Sequence, residues 1–359
     1  MAASYQVQAN SLLYTVVDDC TTTYWAVITG AVTDEIFGDF FSPEFVVEIS
    51  RNDLRAKTTP NGLYAVTGYP GQSFPQLNST TYRVNLILSA PGFRDNPLQV
   101  TIPQNATFPV TGQNIAMRRL PVRIQGRVVS DATRTPIAGA LVLSVDNAIS
   151  PPAMPITVIR SPLYFAHADG IPVQQVTMTP FGGATLTQDA DAGAQILNLT
   201  ARNGLTANSV IRLANASQVV LEYGVVDRLG PGAASQPGQV FLRNMLNRTY
   251  GAGVSTSVQF VNATSVGATA NLTTDADAGD GVLLASQFLN GTTVELEPAT
   301  LKVEYHEVGA LSDSDGYYGL DGIGRVSEIF LQARQGTSEE IQDWFVEYDQ
   351  AINIVDFRL

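Results

Sequence analysis

The stretch Gly126-Arg-Val-Val-Ser-Asp131, followed by Ala140-Leu-Val-Leu-Ser-Val145, decides the fold class. Working outward from it, the same opening stands earlier in the chain as Gly30-Ala-Val-Thr-Asp34 before Phe45-Val-Val-Glu-Ile49. Three later segments also recur in order. Asn61-Gly-Leu-Tyr64 returns as Asp315-Gly-Tyr-Tyr318, Leu86-Ile-Leu-Ser-Ala-Pro-Gly92 returns loosely as Ile329-Phe-Leu-Gln-Ala-Arg-Gln-Gly336, and Asn114-Ile-Ala-Met-Arg-Arg-Leu120 returns as Asn353-Ile-Val-Asp-Phe-Arg-Leu359. Alternation in Leu141-Val-Leu-Ser-Val145 and Tyr82-Arg-Val-Asn-Leu-Ile-Leu88 suits half-buried strands, so the repeated unit is a β-module. Its second copy is split. The front ends near Asp146 and the back resumes near Ser312, so the segment between reads as an insertion carried on one loop.

A second repeat lies inside that insertion. Leu186-Thr-Gln-Asp-Ala-Asp-Ala-Gly193 matches Leu272-Thr-Thr-Asp-Ala-Asp-Ala-Gly279, and Val220-Leu-Glu-Tyr223 matches Lys302-Val-Glu-Tyr305. Upstream, Leu163-Tyr-Phe-Ala-His-Ala-Asp-Gly170 resembles Leu246-Asn-Arg-Thr-Tyr-Gly-Ala-Gly253, which sets Tyr250 at the place of His167. The Gly/Pro/Ser run Gly230-Pro-Gly-Ala-Ala-Ser-Gln-Pro-Gly238 reads as the linker between two tandem modules. The expected map is therefore a β-sandwich at 1–120, a second, split sandwich at 121–146 plus 311–359, and inserted modules at 147–236 and 237–310. If the insertion is a loop passenger, replacing Ala148 to Gly309 by a short linker should leave both sandwiches folded.

Composition agrees with an all-β chain: among 359 residues, 30 Gly and 19 Pro accompany 45% hydrophobic and only 15% charged residues. A net charge of -13 argues against a nucleic-acid groove or an anionic membrane surface. Lys57 and Lys302 are the only lysines, so nearly all positive charge is carried by arginine. The single cysteine, Cys20, excludes an internal disulfide and reads as a buried small hydrophobe. The first residues lack a basic segment followed by an apolar run, which predicts a protein made in the bacterial cytoplasm without a signal peptide.

The better preserved outer copy joins Gly126-Arg-Val-Val-Ser-Asp131 to Pro136-Ile-Ala-Gly-Ala140 and to Asp313-Ser-Asp-Gly-Tyr-Tyr318. In these motifs it resembles the carboxypeptidase regulatory-like domain. The resemblance implies a transthyretin-like or immunoglobulin-like β-sandwich for each copy, although the first lacks the Pro-Ile-x-Gly-Ala turn. The insertion modules resemble small β-modules of bacteriophage tail and contractile-injection-system proteins. That implies a non-enzymatic structural component located in the virion or injection particle, meeting other particle proteins and further copies of itself in a hexameric or trimeric ring.

Asp189, Asp191, Asp275, Asp277 and Asp280 offer alternate carboxylates to Ca2+, but Asp and Gly before a strand are ordinary turn chemistry and no later EF-hand Glu follows, so the capped turn is preferred. Asp313, Asp315 and Asp321 read likewise, with Gly316 supplying a positive φ in a hairpin. His167 and His306 fall in different modules and read as packed or hydrogen-bonded side chains. The chain carries no nucleophile elbow, zincin, P-loop or Rossmann fingerprint, so no catalytic, cofactor-binding or settled metal residue is assigned. Eight Asn-x-Ser/Thr sequons, at Asn78, Asn105, Asn198, Asn215, Asn247, Asn262, Asn271 and Asn290, read as turn caps and strand surface. The alternative function is a receptor- or carbohydrate-binding adhesin using exposed aromatic rings, with Trp25 and Trp344 expected in sandwich strands.

Overall fold

The computed structural model describes residues 26–39, 41, 43–68, 81–104, 106–145, 155–217, 219–289, 293–296 and 302–359. Over these residues the protein is all-β, and it divides into two units, Met1–Leu120 and Pro121–Leu359. Cys20, Trp25, Asn78, Asn105 and Asn290 lie outside the described residues.

The first unit holds β1 (Ala26–Asp34), β2 (Val46–Ile49), β3 (Leu54–Thr58), β4 (Leu63–Gly68), β5 (Tyr82–Ser89), β6 (Asn96–Ile102) and β7 (Ile115–Met117). They form two sheets, ordered β3-β4-β1-β7 and β2-β5-β6, with β7 parallel to β1. The period of two places the core: on β5, Val84, Leu86 and Leu88 are buried while Arg83, Asn85 and Ile87 face outward. They meet Ile28, Val32 and Val66 of the other sheet.

The second unit repeats this plan with β8 (Val122–Val129) and β9 (Leu141–Ser144) and, beyond the insertion, β20 (Ala310–Leu311), β21 (Tyr317–Ile323), β22 (Glu328–Gln335), β23 (Ser338–Phe345), β24 (Ile352–Ile354) and β25 (Phe357–Arg358). One sheet runs β21-β8-β24, with β25 also on β8, and the other β20-β9-β22-β23. Strands from before and after the insertion thus share both sheets. The two sandwiches match in detail. A Cβ on Gly30 would stand 2.0 Å from the Gln113 carbonyl oxygen, and one on Gly126 1.7 Å from that of Val355, so only glycine admits the crossing chain. Tyr64 and Tyr318 donate their hydroxyls to those same two carbonyls at 2.6 and 2.7 Å.

The insertion comprises β10 (Ile156–Val158), β11 (Pro172–Leu186), β12 (Ile196–Leu199), β13 (Val210–Asn215), β14 (Leu221–Leu229), β15 (Gly238–Leu242), β16 (Gly253–Asn271), β17 (Val282–Leu284), β18 (Thr293–Leu296) and β19 (Glu304–Glu307). The long strands β11 and β16 pair antiparallel from Pro172↔Asn271 to Leu186↔Gly253. At one end they are closed by β12, β15, β14 and β13, the circuit shutting at Leu186↔Leu199. At the other end β18 and β19 continue from β11, and the bridges Ile159↔Val308 and Leu272↔Ala285 join them through β10 and β17. The result is two small barrels sharing two strands, with cores around Leu197, Leu213 and Phe260 in the first and Leu163, Leu283 and Leu296 in the second.

This corrects the expected tandem boundary at 236/237. Each barrel is built from both sequence repeats: β15 of the second repeat completes the first barrel, and β10 of the first repeat completes the second. The physical reason is that β11 and β16 do not turn back at mid-length but continue into the next barrel, delivering each repeat's leading arm to the other. Nor is 230–238 a free linker, since Arg202, 1% exposed, donates to the carbonyls of Gly230, Pro231, Gly232, Ala233 and Gln239. The second sandwich, moreover, does not own its core: Val158, Val282 and Leu284 of the insertion lie in it beside Val142, Leu331 and Phe357. Ser144 ties the two together, donating to the Ile156 carbonyl and accepting from Val158 N–H.

Candidate functional site

A buried group of titratable side chains is assembled by this exchange of arms. Glu304 opens β19 and points into the second barrel; Glu222, on β14, holds the matching place in the first. Both are 1% exposed. The arm after β10 passes over Glu304, which accepts Tyr164 N–H at 2.7 Å on Oε2 and Phe165 N–H at 3.3 Å on Oε1. The arm after β15 passes over Glu222 in the same way, with Asn247 N–H at 2.9 Å and Arg248 N–H at 3.3 Å. Each carboxylate therefore staples an arm contributed by the other repeat.

The two staples differ in their side-chain partners. His167 meets Glu304 Oε1 through Nε2, and His306 reaches Oε2 at 2.8 Å. An ionised carboxylate only accepts, so both imidazoles present Nε2–H to it, and both Nδ1 atoms are buried without a partner. Burial by itself would raise the Glu304 carboxyl, but the two imidazole hydrogen bonds outweigh it and hold the group down at about 2. In the first barrel Tyr250 takes the place of His167 and Gly224 that of His306. There burial prevails and Glu222 is raised, although Tyr164 donates its hydroxyl to Glu222 at 2.9 Å across the junction. Burial, then the charge of Glu222, push the Tyr164 hydroxyl far up, so it stays a donor. At the same junction Tyr223 donates to Glu307 at 2.5 Å.

Chemically this arrangement fixes chain segments. The Glu304 oxygens receive two main-chain N–H groups and two imidazoles, and no hydroxyl or thiol nucleophile is hydrogen-bonded to either histidine among the described residues. His167 and His306 are both hydrogen-bonded, and the exchanged arms bring the two together on one carboxylate. Glu222 and Glu304 are not among the residues singled out from the sequence; the signal available for them is the Glu kept at the matching place of the two repeats, in Leu-Glu-Tyr and Val-Glu-Tyr.

The aspartates do turn work. Asp189 accepts Ala252 N–H at 2.7 Å and Asp280 accepts Asp277 N–H at 2.9 Å. Asp191 is exposed, and Asp275 pairs with Arg325 at 3.8 Å. Among the described residues no group of three or more His, Cys, Asp or Glu is placed to hold a metal ion. Asp313 accepts N–H from Asp315 and Tyr317, with Gly316 at φ 80°, while Asp321 instead pairs with Arg123 and Arg248. Trp344 is half-buried against the second sandwich core and donates to Asn353 at 3.0 Å.

No family model and no curated protein matches the chain. Among solved structures, the major pilin subunit of Bacillus cereus aligns over 92% of this chain and 98% of its own at 6% identity, with a TM-score of 0.21. The Bacillus anthracis TIE protein aligns over 93% of this chain and 50% of its own at 8% identity, with a TM-score of 0.22. The protocadherin gamma-B4 extracellular domain follows at 13% identity over 95% of this chain and 67% of its own, with a TM-score of 0.12. At such scores these alignments carry no argument about architecture or role.

Proposed function

We propose that the protein is a non-enzymatic structural subunit of a phage tail or contractile injection particle, acting by assembly with copies of itself and with other particle proteins. In this reading the outer sandwiches are of the carboxypeptidase regulatory-like kind and the double barrel is the projecting body. The observation that carries it is how the acid–base residues are used: Glu222, Glu304, His167 and His306 are buried and spent on locking exchanged arms, which makes a body suited to bear load. The contact surface in this reading is β23. Among the described residues it pairs with β22 alone, and it turns Ile341 (54% exposed) and Phe345 (68% exposed) outward, the features of an edge open to strand addition.

The test is sedimentation velocity and negative-stain microscopy on the full chain, alone and with a lysate containing particles. A trimeric or hexameric ring, or co-sedimentation with tail-sized assemblies, is expected. A protein that stays monomeric and never co-sediments sinks the reading.

A further inference from the structure

The outer face of β21-β8-β24 carries three rows of side chains that cross the strands. The middle row is Gly319, Gln125 and Ile354, and because Gly319 has no side chain the row is sunken. One flanking row is Tyr317, Arg127 and Asp356; the other holds Asp321 and Arg123. A hollow of about 500 Å3 lies here, rimmed by Val219 from the first barrel.

Both guanidinium groups are set in place. Arg123 donates Nε to Gln125 at 3.0 Å and Nη1 to Asp321 at 2.8 Å, and a Cβ on Gly319 would stand 2.2 Å from its Nη2, so glycine clears its path. Arg127 donates Nε to the Asp315 carbonyl at 2.8 Å and lies 5.3 Å from the centre of the Tyr317 ring, which is 56% exposed. Arg127 Nη1 and Nη2, Arg123 Nη2 and the Gln125 amide have no acceptor among the described residues. The two carboxylates of the hollow are each engaged on Oδ1 alone, Asp356 by Arg127 N–H and Asp313 by Asp315 and Tyr317 N–H, which leaves their Oδ2 atoms to accept from sugar hydroxyls. The hollow thus sets open guanidinium donors and two carboxylate oxygens beside an aromatic ring and Ile354, the mixed lining that a sugar bearing both a carboxylate and hydroxyls would use.

The first sandwich shows that the fold does not require this. At the registers matching Gln125↔Gly319 and Arg127↔Tyr317 it has Thr29↔Ala65 and Ala31↔Leu63, while Asn114 accepts Ala31 N–H as Asp356 accepts that of Arg127. The main-chain tie is kept and the guanidinium and ring are absent. We infer that this hollow binds an acidic saccharide, with a hexuronate carboxylate received by the guanidinium groups and the sugar ring laid against Tyr317 and Ile354. This goes beyond assembly and does not depend on it.

The test is saturation-transfer NMR on the full chain with methyl glucuronide and methyl galacturonide, with the neutral methyl glucoside and galactoside and with sodium acetate as controls. Uronide signal is expected, with the neutral glycosides at least about tenfold weaker for the loss of one charge-assisted pair, and acetate at least about tenfold weaker for the loss of the ring contact with Tyr317 and Ile354. Arg127→Ala and Tyr317→Leu, residues that the first sandwich already carries at these places, should each weaken uronide binding about tenfold or more while Phe181→Ala, at an exposed ring on β11, leaves it unchanged. If Arg127→Ala lowers the melting temperature, Arg127→Gln, which keeps the stem, is read in its place. No uronide signal at about 10 mM, equal signal from the neutral glycosides, equal competition by acetate (an adventitious anion only), or binding indifferent to both variants overturns the proposal.

Discussion

Glu222 and Glu304 hold equivalent places in two halves of one body, and their surroundings move them in opposite directions. Glu304 lies below its ordinary value, so its contribution to stability is complete above about pH 4.5 and is lost as the pH falls toward 2. Glu222 lies above its ordinary value because burial disfavours its charge, so it favours the fold when protonated, and that advantage is lost as the pH rises through the raised value. Urea titrations of wild type, Glu304→Gln and Glu222→Gln across acid and neutral pH should separate them. The deficit of Glu304→Gln should be largest near neutrality and shrink toward pH 3; that of Glu222→Gln should shrink as the pH rises. Parallel behaviour of the two variants would show that the histidines do not set the difference. The pairing of Glu304 with His167 was not legible from spacing, because it joins residues in different repeats whose meeting depends on where two long strands end.

At the scale of elements, the strands and their burial were legible and the partner choice was not. The alternation of Tyr82-Arg-Val-Asn-Leu-Ile-Leu88 specifies which side chains face a core, and the matched motifs show that there are two copies of each module. Repeats are silent on whether an arm folds onto its own body or onto its twin, since both arrangements bury the same faces. Cross-linking in a Cys20→Ser background settles it. Asn198→Cys with Gln239→Cys, directly opposed on β12 and β15, should form a disulfide, whereas Asn198→Cys with Ile156→Cys, the pair a tandem arrangement would oppose, should not. The run Gly230 to Gly238 shows the same limit. Its composition reads as a linker, but a single buried guanidinium organises it. Arg202→Ala strands several carbonyls at once and should cost about 3–5 kcal/mol in urea unfolding, with new proteolytic cleavage confined to this segment. Unchanged stability would mean that the loop holds its path without Arg202.

For the whole molecule, the consequence of the exchanged arms is that the insertion belongs to the sandwich that carries it. Val158 and Val282 lie opposite each other on β10 and β17, with Leu284 beside them, and all three are buried in the second sandwich core. Removing them from that core withdraws about 1.5–3 kcal/mol per side chain, a sum comparable with the entire stability of a small domain. Replacing Ala148 to Gly309 by a Gly/Ser linker should therefore leave the first sandwich, a separate unit with its own core, folded and cooperative. The second should become loosely packed, with lost amide protection at Val142, Leu331 and Phe357 and new binding of a hydrophobic dye. Hydrogen exchange on the shortened chain reads both halves in one sample. Native protection in both sandwiches would mean that β10 and β17 only cover a core that is complete without them, and the insertion would again be a passenger on its loop.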